Sequence, residues 1–141
     1  MISLSNVPLK PLTKGQLWIS HYPGKIGMED KIIQAEMDLL ELKKKKIDIV
    51  VSLLEKKELK PLHISTLFEV IKKHKFTHYY FPIKDKSVPK NNVELNRFLN
   101  DLSFKIRQNK KILLHCNAGL GRSGLIAALL CKKLGISDNP I

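Results

Sequence analysis

The sequence predicts an α/β domain of three layers, in which helices flank a central, mostly parallel sheet. Short apolar runs alternate along the chain with longer amphipathic stretches, which is the pattern of strands joined by crossover helices. Residues 47–54 are largely apolar and rich in Ile and Val, as expected of a parallel strand that is covered on both faces. At 141 residues, the chain has the length of one such domain with one core.

Local patterns predict ten segments along this fold. Apolar residues recur at intervals of three and four in the helical segments, and β-branched or aromatic residues are frequent in the strands. Ser65 or Thr66 is expected to cap one helix. In order, the segments are an extended arm at 1–14, a strand at 15–20, a turn at 21–24, a helix at 30–46, a strand at 47–54, a helix at 65–74, a strand at 77–83, a helix at 91–108, a strand at 112–114 and a helix at 125–134.

Two of the predicted helices have an apolar face that we assign to the core. In the helix at 30–46, the face consists of Ile33, Met37 and Leu40, widened by Ile32 and Leu39. In the helix at 91–108, it consists of Val93, Leu95, Phe98, Leu99, Leu102 and Ile106. We therefore expect these side chains to be buried.

The last predicted strand and helix enclose the most informative stretch, HCNAGLGRSG at residues 115–124. Gly119 and Gly121 allow backbone geometries that other residues resist. A loop that opens a helix also gathers unpaired N–H groups at the positive end of the helix dipole. We therefore predict a phosphate site formed by Arg122 and by the backbone of Asn117, Ala118, Gly119, Leu120 and Gly121.

Cys116 stands at the start of this loop, where the same field favours a thiolate. A helix N-terminus and a nearby cation, here Arg122, both stabilise the ionised sulfur. The planar fork of Arg122 can also hold two phosphate oxygens at once. The resulting hypothesis is that Cys116 attacks phosphorus and forms a cysteinyl phosphate. The alternative is a buried structural cysteine beside a glycine turn.

Asp85 is the candidate for a second catalytic group, because expulsion of an alkoxide or phenolate requires a proton. It follows a predicted strand, in a loop bounded by prolines, and such loops often carry catalytic residues. The alternative is a solvated aspartate that pairs with Lys84 or Lys86.

Residues 115–123 resemble the His-Cys-x5-Arg-Ser/Thr signature of the protein tyrosine phosphatase superfamily, and most of all its small dual-specificity branch of the kinase-associated phosphatase type. The segments 16–24 and 55–59 are similar to that branch as well. The resemblance implies a cysteine phosphatase fold and places Asp85 in a general-acid loop. It also implies that Ser123 donates a hydrogen bond to the sulfur of Cys116, and that His115 orients the loop and tunes the thiolate.

The expected function is metal-independent hydrolysis of phosphomonoesters on proteins, at phosphotyrosine and also at phosphoserine or phosphothreonine. The alternatives are a phosphoinositide phosphatase, an RNA 5′-phosphatase, or a module that binds phosphoproteins without turnover. We expect no cofactor and no metal, because His74 and His78 fall on a helix and a strand and would not share a face. Cys131 is expected to be an inert core residue, with a redox partnership to Cys116 as the alternative.

Composition bears on partners and location. The net charge of +12 would speed the capture of anionic substrates, and it equally fits a solvated lysine-rich surface. Basic and aromatic residues do not interleave, which argues against nucleic acid as a partner. No stretch approaches the roughly 18 apolar residues of a membrane span, and residues 1–14 lack a signal-peptide pattern. A nucleophilic thiol favours a reducing compartment, so we expect a cytoplasmic protein.

The predicted domain organisation is a single phosphatase domain over residues 1–141. Members of the family that it resembles continue for another helix or two after the loop helix, and these helices are expected to be absent here. Their absence fits a shortened sequence, a minimal variant of the fold, or an apolar face that a partner chain covers, and in the last case a homodimer is expected.

Overall fold

The fold is known from a computed structural model, which describes residues 2–9, 13–85, 87, 92–118 and 121–135. It contains five strands and five helices within that part of the chain. In chain order, they are β1 (Leu4–Val7), β2 (Gln16–His21), α1 (Lys31–Lys44), β3 (Ile49–Ser52), α2 (Lys56–Leu59), α3 (Leu67–Lys73), β4 (Thr77–Tyr80), α4 (Val93–Arg107), β5 (Lys111–Cys116) and α5 (Gly121–Lys133).

The strands form one sheet in the order β1-β2-β5-β3-β4. Strands β2, β5, β3 and β4 run parallel, and β1 pairs antiparallel with β2 at the edge. One apolar cluster joins this sheet to α4 and α5, and a second joins its other face to α1 and α3. The predicted three-layer α/β fold with a mostly parallel sheet is confirmed.

The parallel arrangement brings the carboxyl ends of three strands together. Cys116, the last residue of β5, lies opposite His21 at the end of β2, and His115 lies opposite Ser52 at the end of β3. All four of these residues are buried. Because β5 is central and leads into α5, the signature loop (residues 116–122) begins at the middle of this edge.

The prediction for the buried face of α1 is wrong. Ile33, Met37 and Leu40 are 45%, 52% and 52% exposed, whereas the helix buries Gln34, Ala35, Asp38, Leu39 and Leu42. Of the predicted apolar face, Leu39 is fully buried and Ile32 packs at the edge of the core.

The inward polar side of α1 holds the loop that follows β2. The Asp38 carboxylate accepts hydrogen bonds from the Gly24 backbone N–H and from the Gln34 side chain, both at 2.8 Å. The Gln34 side-chain oxygen accepts a third, at 3.0 Å, from the Met28 N–H. Gly24 has φ of +98°, and a side chain there would meet the Lys31 carbonyl. Burial of polar residues by hydrogen bonding therefore decides the orientation of this helix.

Smaller differences concern the lengths of elements. The segment predicted as an arm contains β1, the segment after β3 forms the short helix α2, and β4 ends at Tyr80 rather than at residue 83. Thr66 precedes α3 without a side-chain capping bond. The prediction for the apolar face of α4 is correct except for Val93, which is 70% exposed.

No helix in the described part of the chain combines the length and the apolar character that crossing a bilayer requires.

Candidate active site

The signature loop leaves β5 at Cys116 and enters α5 at Gly121. Cys116 is only 2% exposed and adjoins the core cluster that contains Ile126 and Ala127. Gly121 is the first residue of α5 and has no positive φ, and a side chain there would meet no described residue within 4 Å, so the special backbone geometry predicted for Gly121 is wrong. Gly119 and Leu120 lie outside the described residues.

Arg122 is buried in the first turn of α5, at 4% exposure, and is held by two other segments of the chain. Its Nη1 donates to Glu58 Oε2 at 2.7 Å and to the Ile83 carbonyl at 2.9 Å. Its Nη2 donates to Glu58 Oε1 at 3.0 Å. The guanidinium is thus clamped by a bidentate carboxylate on one edge, which fixes the plane of its fork.

This clamp leaves donors for a substrate. A guanidinium carries five N–H groups, and the three bonds above use both hydrogens of Nη1 and one of Nη2. No described residue accepts a hydrogen bond from the remaining hydrogens, on Nε and Nη2, and these lie along a second edge that matches two oxygens of a phosphate. Burial alone would lower the pKa of Arg122, but the hydrogen bonds and charge of Glu58, then the charges of Cys116 and Asp85, raise it overall. Arg122 therefore stays cationic.

Glu58 is the first of several residues whose role sequence reasoning missed. It lies in α2, 64 positions before Arg122, and its Oε2 also accepts the Glu55 N–H at 2.7 Å. A Glu-x-x-Glu pattern that opens a short helix was the available signal. That pattern predicts a capped helical turn, but it does not reveal the distant arginine.

We expect Glu58→Gln to lower kcat of a phosphomonoesterase reaction about tenfold or more. The amide removes a charge and one acceptor, so Arg122 loses part of the bidentate contact that fixes the plane of its guanidinium. Steady-state kinetics on an aryl phosphate measure the effect. Glu69→Gln, a similar change at an exposed position of α3, is the control and should leave kcat unchanged. Equal rates for Glu58→Gln and the control would contradict the assigned role of Glu58.

Asp85 lies beside the clamped arginine. Its Oδ1 is 3.6 Å from Nη2 of Arg122, and its side chain is 60% exposed. The preceding segment stays attached to the sheet, because Phe81 and Ile83 donate backbone hydrogen bonds to Ser52 and Leu53, both at 3.0 Å. Of the two lysines considered as partners, Lys86 lies outside the described residues. The structure brings Asp85 to the rim of the same site as Arg122.

His115 and Ser123 are both fully buried next to the loop. His115 Nε2 is 2.5 Å from Ser52 Oγ. Ser123 Oγ makes no hydrogen bond to any residue that the structure describes, so the predicted bond to the sulfur of Cys116 is not formed in this structure. The role of Ser123 in releasing the sulfur stays a prediction.

Asn117 is tied to the loop after β2. Lys25 Nζ donates to the Asn117 backbone carbonyl at 3.2 Å and to its Oδ1 at 3.0 Å. Lys25 follows Gly24, whose N–H is held by Asp38. Sequence reasoning assigned no role to Lys25 or Asp38, because both act through contacts between segments distant along the chain. Ala118, the next loop residue, is exposed.

Other candidate groups have different partners. His74 Nε2 contacts Glu36 at 3.3 Å, and His78 contacts Ser52, so these two histidines do not form a metal pair. Across residues 2–9, 13–85, 87, 92–118 and 121–135, no group of three or more His, Cys, Asp or Glu side chains could hold a metal ion. Cys131 is a free cysteine at 1% exposure, and burial raises the pKa of its thiol.

A family model matches residues 26–134 of the chain. Its description is Tc-R-P, "Polymorphic toxin system, DSP-PTPase phosphatase". The chain belongs to this family. The predicted relationship to small dual-specificity phosphatases is thereby confirmed.

Individual relatives agree with the family assignment. The cyclin-dependent kinase inhibitor 3 of Rattus norvegicus is 29% identical over 140 residues, which are 99% of this chain and 65% of the rat protein. The putative tyrosine phosphatase 197R of Invertebrate iridescent virus 6 is 49% identical over 55 residues, 36% of this chain and 21% of the viral one. The chain thus spans slightly less than two thirds of the rat protein.

The fold also matches a solved phosphatase structure. A crystal structure of kinase associated phosphatase, with its catalytic-site cysteine replaced by serine, aligns with a TM-score of 0.82 at 24% identity. The alignment covers 94% of this chain and 74% of the other. This likeness establishes the cysteine phosphatase fold for the Tc-R-P family member described here.

Proposed function

We propose that this chain is a metal-independent cysteine phosphatase that hydrolyses phosphomonoesters on proteins. The observation that carries the proposal is the placement of Cys116 and Arg122 on one strand–loop–helix unit, with Arg122 fixed by Glu58 and Asp85 3.6 Å away. Membership of a DSP-PTPase family supports the same reaction. Cys116, Arg122 and Asp85 each have a distinct part in a two-step transfer of the phosphoryl group.

In the first step, the Cys116 thiolate attacks phosphorus and the bond from phosphorus to the leaving oxygen breaks. Asp85 donates its proton to that oxygen, so the leaving group departs as a neutral alcohol or phenol. In the second step, the Asp85 carboxylate takes a proton from water as the water oxygen attacks phosphorus. The sulfur–phosphorus bond then breaks, which restores the thiolate and releases inorganic phosphate. Arg122 and the backbone N–H groups of residues 117–122 hold the equatorial oxygens throughout.

The test of this function is turnover of a generic aryl phosphate by the chain. We expect turnover that vanadate blocks and that chelators leave unchanged. Binding of phosphorylated peptides without turnover would instead favour the non-catalytic module.

We expect Asp85→Asn to lower turnover at least about tenfold for an alkyl or poor aryl leaving group, and much less for a leaving group that departs without a proton. The amide cannot donate the proton, but it keeps the size of the side chain. Rates for aryl phosphates with leaving groups of graded acidity measure this dependence. Asp101→Asn, an exposed aspartate on α4, is the control. An equal loss on all leaving groups would contradict proton donation by Asp85.

The proposed substrates are phosphotyrosine and phosphoserine or phosphothreonine in proteins. The description of the family as DSP-PTPase and the name of the viral relative as a tyrosine phosphatase support this choice. Phosphoinositides and RNA 5′-phosphates are the competing substrates, and selective hydrolysis of either on a panel with phosphopeptides would overturn the assignment.

Three further proposals concern organisation, location and assembly. A single phosphatase domain is supported by the continuous sheet from β1 to β5, and a reactive thiol supports a reducing, cytoplasmic location. Fractionation of cells that express the chain tests the location. The homodimer predicted from the sequence stays a prediction, which sedimentation velocity of the purified chain would decide.

A further inference from the structure

Three side chains form a hydrogen-bonded chain behind the nucleophile. Ser52 Oγ lies 2.8 Å from His78 Nε2 and 2.5 Å from His115 Nε2. The sheet register creates this contact, because Ser52 at the end of β3 lies between His115 on β5 and Tyr80 on β4, with His78 two residues before Tyr80. His115 is followed directly by Cys116, so this row of hydrogen bonds leads from β4 to the first residue of the signature loop.

Burial and a ring contact hold these three side chains in place. Ser52 and His115 are fully buried, and the half-buried His78 ring contacts the Phe68 ring at a centroid distance of 5.0 Å. Burial, followed by the charge of Lys72, lowers the pKa of His78 to about 4. Burial, followed mainly by His78, lowers the pKa of His115 to about 3. Both rings are therefore neutral near pH 7, and each carries a single N–H.

Counting protons then restricts the arrangement. The Ser52 hydroxyl has one hydrogen, so it can donate to only one of the two Nε2 atoms. The other Nε2 must carry its own hydrogen and donate to Ser52 Oγ. Two arrangements satisfy both contacts. Either His78 donates to Ser52, which donates to His115, or the direction is reversed.

The two arrangements differ in where each ring carries its hydrogen. In the first, His78 carries it on Nε2 and His115 on Nδ1, and in the second the positions are exchanged. In both, the single hydroxyl that the rings share holds them in complementary tautomers. Nδ1 of His115 is buried and has no hydrogen-bond partner among the residues that the structure describes.

We propose that His78, acting through Ser52, is a positioning residue that holds His115 in a single tautomer and ring orientation, and so fixes the backbone from which the Cys116 side chain projects. The pairing of complementary tautomers rests on the contacts alone. Its consequence for turnover rests on the proposed phosphatase function. A fixed tautomer would keep the His115 ring in one orientation beside the loop in every turnover, as an orienting hydrogen bond does for other catalytic and metal-binding histidines.

The first test is the tautomer itself, measured by long-range proton–nitrogen NMR on the wild-type chain. We expect complementary tautomers, in which one of the two rings, His78 or His115, carries its hydrogen on Nε2 and the other carries it on Nδ1. In Ser52→Ala and in His78→Phe, we expect the His115 signals to move toward the other tautomer or a mixture. His78→Gln, which keeps a side-chain N–H donor, should retain the wild-type tautomer. The same tautomer in both rings of the wild-type chain, or an unchanged His115 tautomer in both Ser52→Ala and His78→Phe, would overturn the proposal.

The second test is kinetic. Loss of one oriented hydrogen bond is expected to lower kcat/KM for an aryl phosphate about threefold to tenfold in His78→Phe and Ser52→Ala, and to displace the acidic limb of the pH profile. The double variant should lose no more than either single one, because both changes break the same chain. His78→Gln should recover most of the rate. An unaltered pH profile in His78→Phe would contradict the catalytic consequence.

Tyr79→Phe provides the matched control for general damage to β4. Tyr79 is the next residue of the strand, packs on the other face of the sheet and bonds Asp101. Its variant should lower the melting temperature without changing the tautomer or the pH profile. A wild-type chain that turns over no phosphomonoester would defeat the proposed function and its kinetic consequence, whereas the NMR result would still decide the tautomer.

Discussion

Replacement of Cys116 by serine is expected to abolish phosphatase turnover, by at least about a thousandfold, while oxyanion binding survives. A serine hydroxyl is slightly smaller than the thiol and keeps the shape of the side chain, but it is a far weaker acid and a far weaker nucleophile toward phosphorus. Arg122 and the loop backbone would remain in place, since Arg122 is held by Glu58 and the Ile83 carbonyl rather than by the sulfur. Turnover of an aryl phosphate and calorimetric binding of tungstate measure the two properties separately.

Cys131→Ser is the matched control for this change. Cys131 is also buried, and it lies on α5, after the loop that Cys116 begins. Its serine variant should lose some stability, because a polar group enters the core, but it should keep its turnover. Full activity in Cys116→Ser would remove Cys116 from the mechanism. The same conclusion would follow if only Cys131→Ser lost its activity.

Replacement of Arg122 by lysine is expected to lower kcat/KM about a hundredfold to a thousandfold. Lysine keeps the positive charge, but its ammonium cannot satisfy Glu58 at two oxygens and also present two parallel donors to a phosphate. The expected loss therefore arises from geometry rather than from charge. Kinetics on an aryl phosphate and tungstate binding in the Cys116→Ser background both report it.

Arg107→Lys is the corresponding control on α4, where the guanidinium is exposed and donates to the Lys133 carbonyl at 3.3 Å. This variant should retain wild-type kinetics. Arg122→Ala would test a different property, since it leaves the largely buried Glu58 carboxylate without its partner and should cost about 3–5 kcal/mol of stability. A fully active Arg122→Lys would contradict the bidentate phosphate clamp.

The polar side of α1 illustrates why local patterns mislead. The spacing of Ile33, Met37 and Leu40 is that of an apolar helix face, yet these side chains are about half exposed. The helix instead turns Gln34 and Asp38 inward, where they hold the loop that carries Lys25 to Asn117. Periodicity measures only how hydrophobic each face is, whereas burial also depends on the hydrogen-bond partners that other segments supply.

What the sequence by itself determined is the local chemistry and the class of fold. Cys116, Arg122 and the turn between β5 and α5 lie within a few residues of one another, so their relation is set by the chain itself. The alternation of strands and helices likewise indicated a mostly parallel sheet, since the four parallel strands and four of the five helices are recognisable from their own residues.

Only the tertiary structure decided which partners complete that chemistry. Glu58 reaches Arg122 across 64 positions, and Ser52 reaches His115 across 63. These contacts arise from strand order and register. Because β3 lies beside β5, the carboxyl end of β3 lies next to the start of the signature loop at the same edge of the sheet. Hydrogen bonds between distant segments depend on distances that no local pattern encodes, which is why Glu58, Ser52 and Lys25 became visible only in the folded chain.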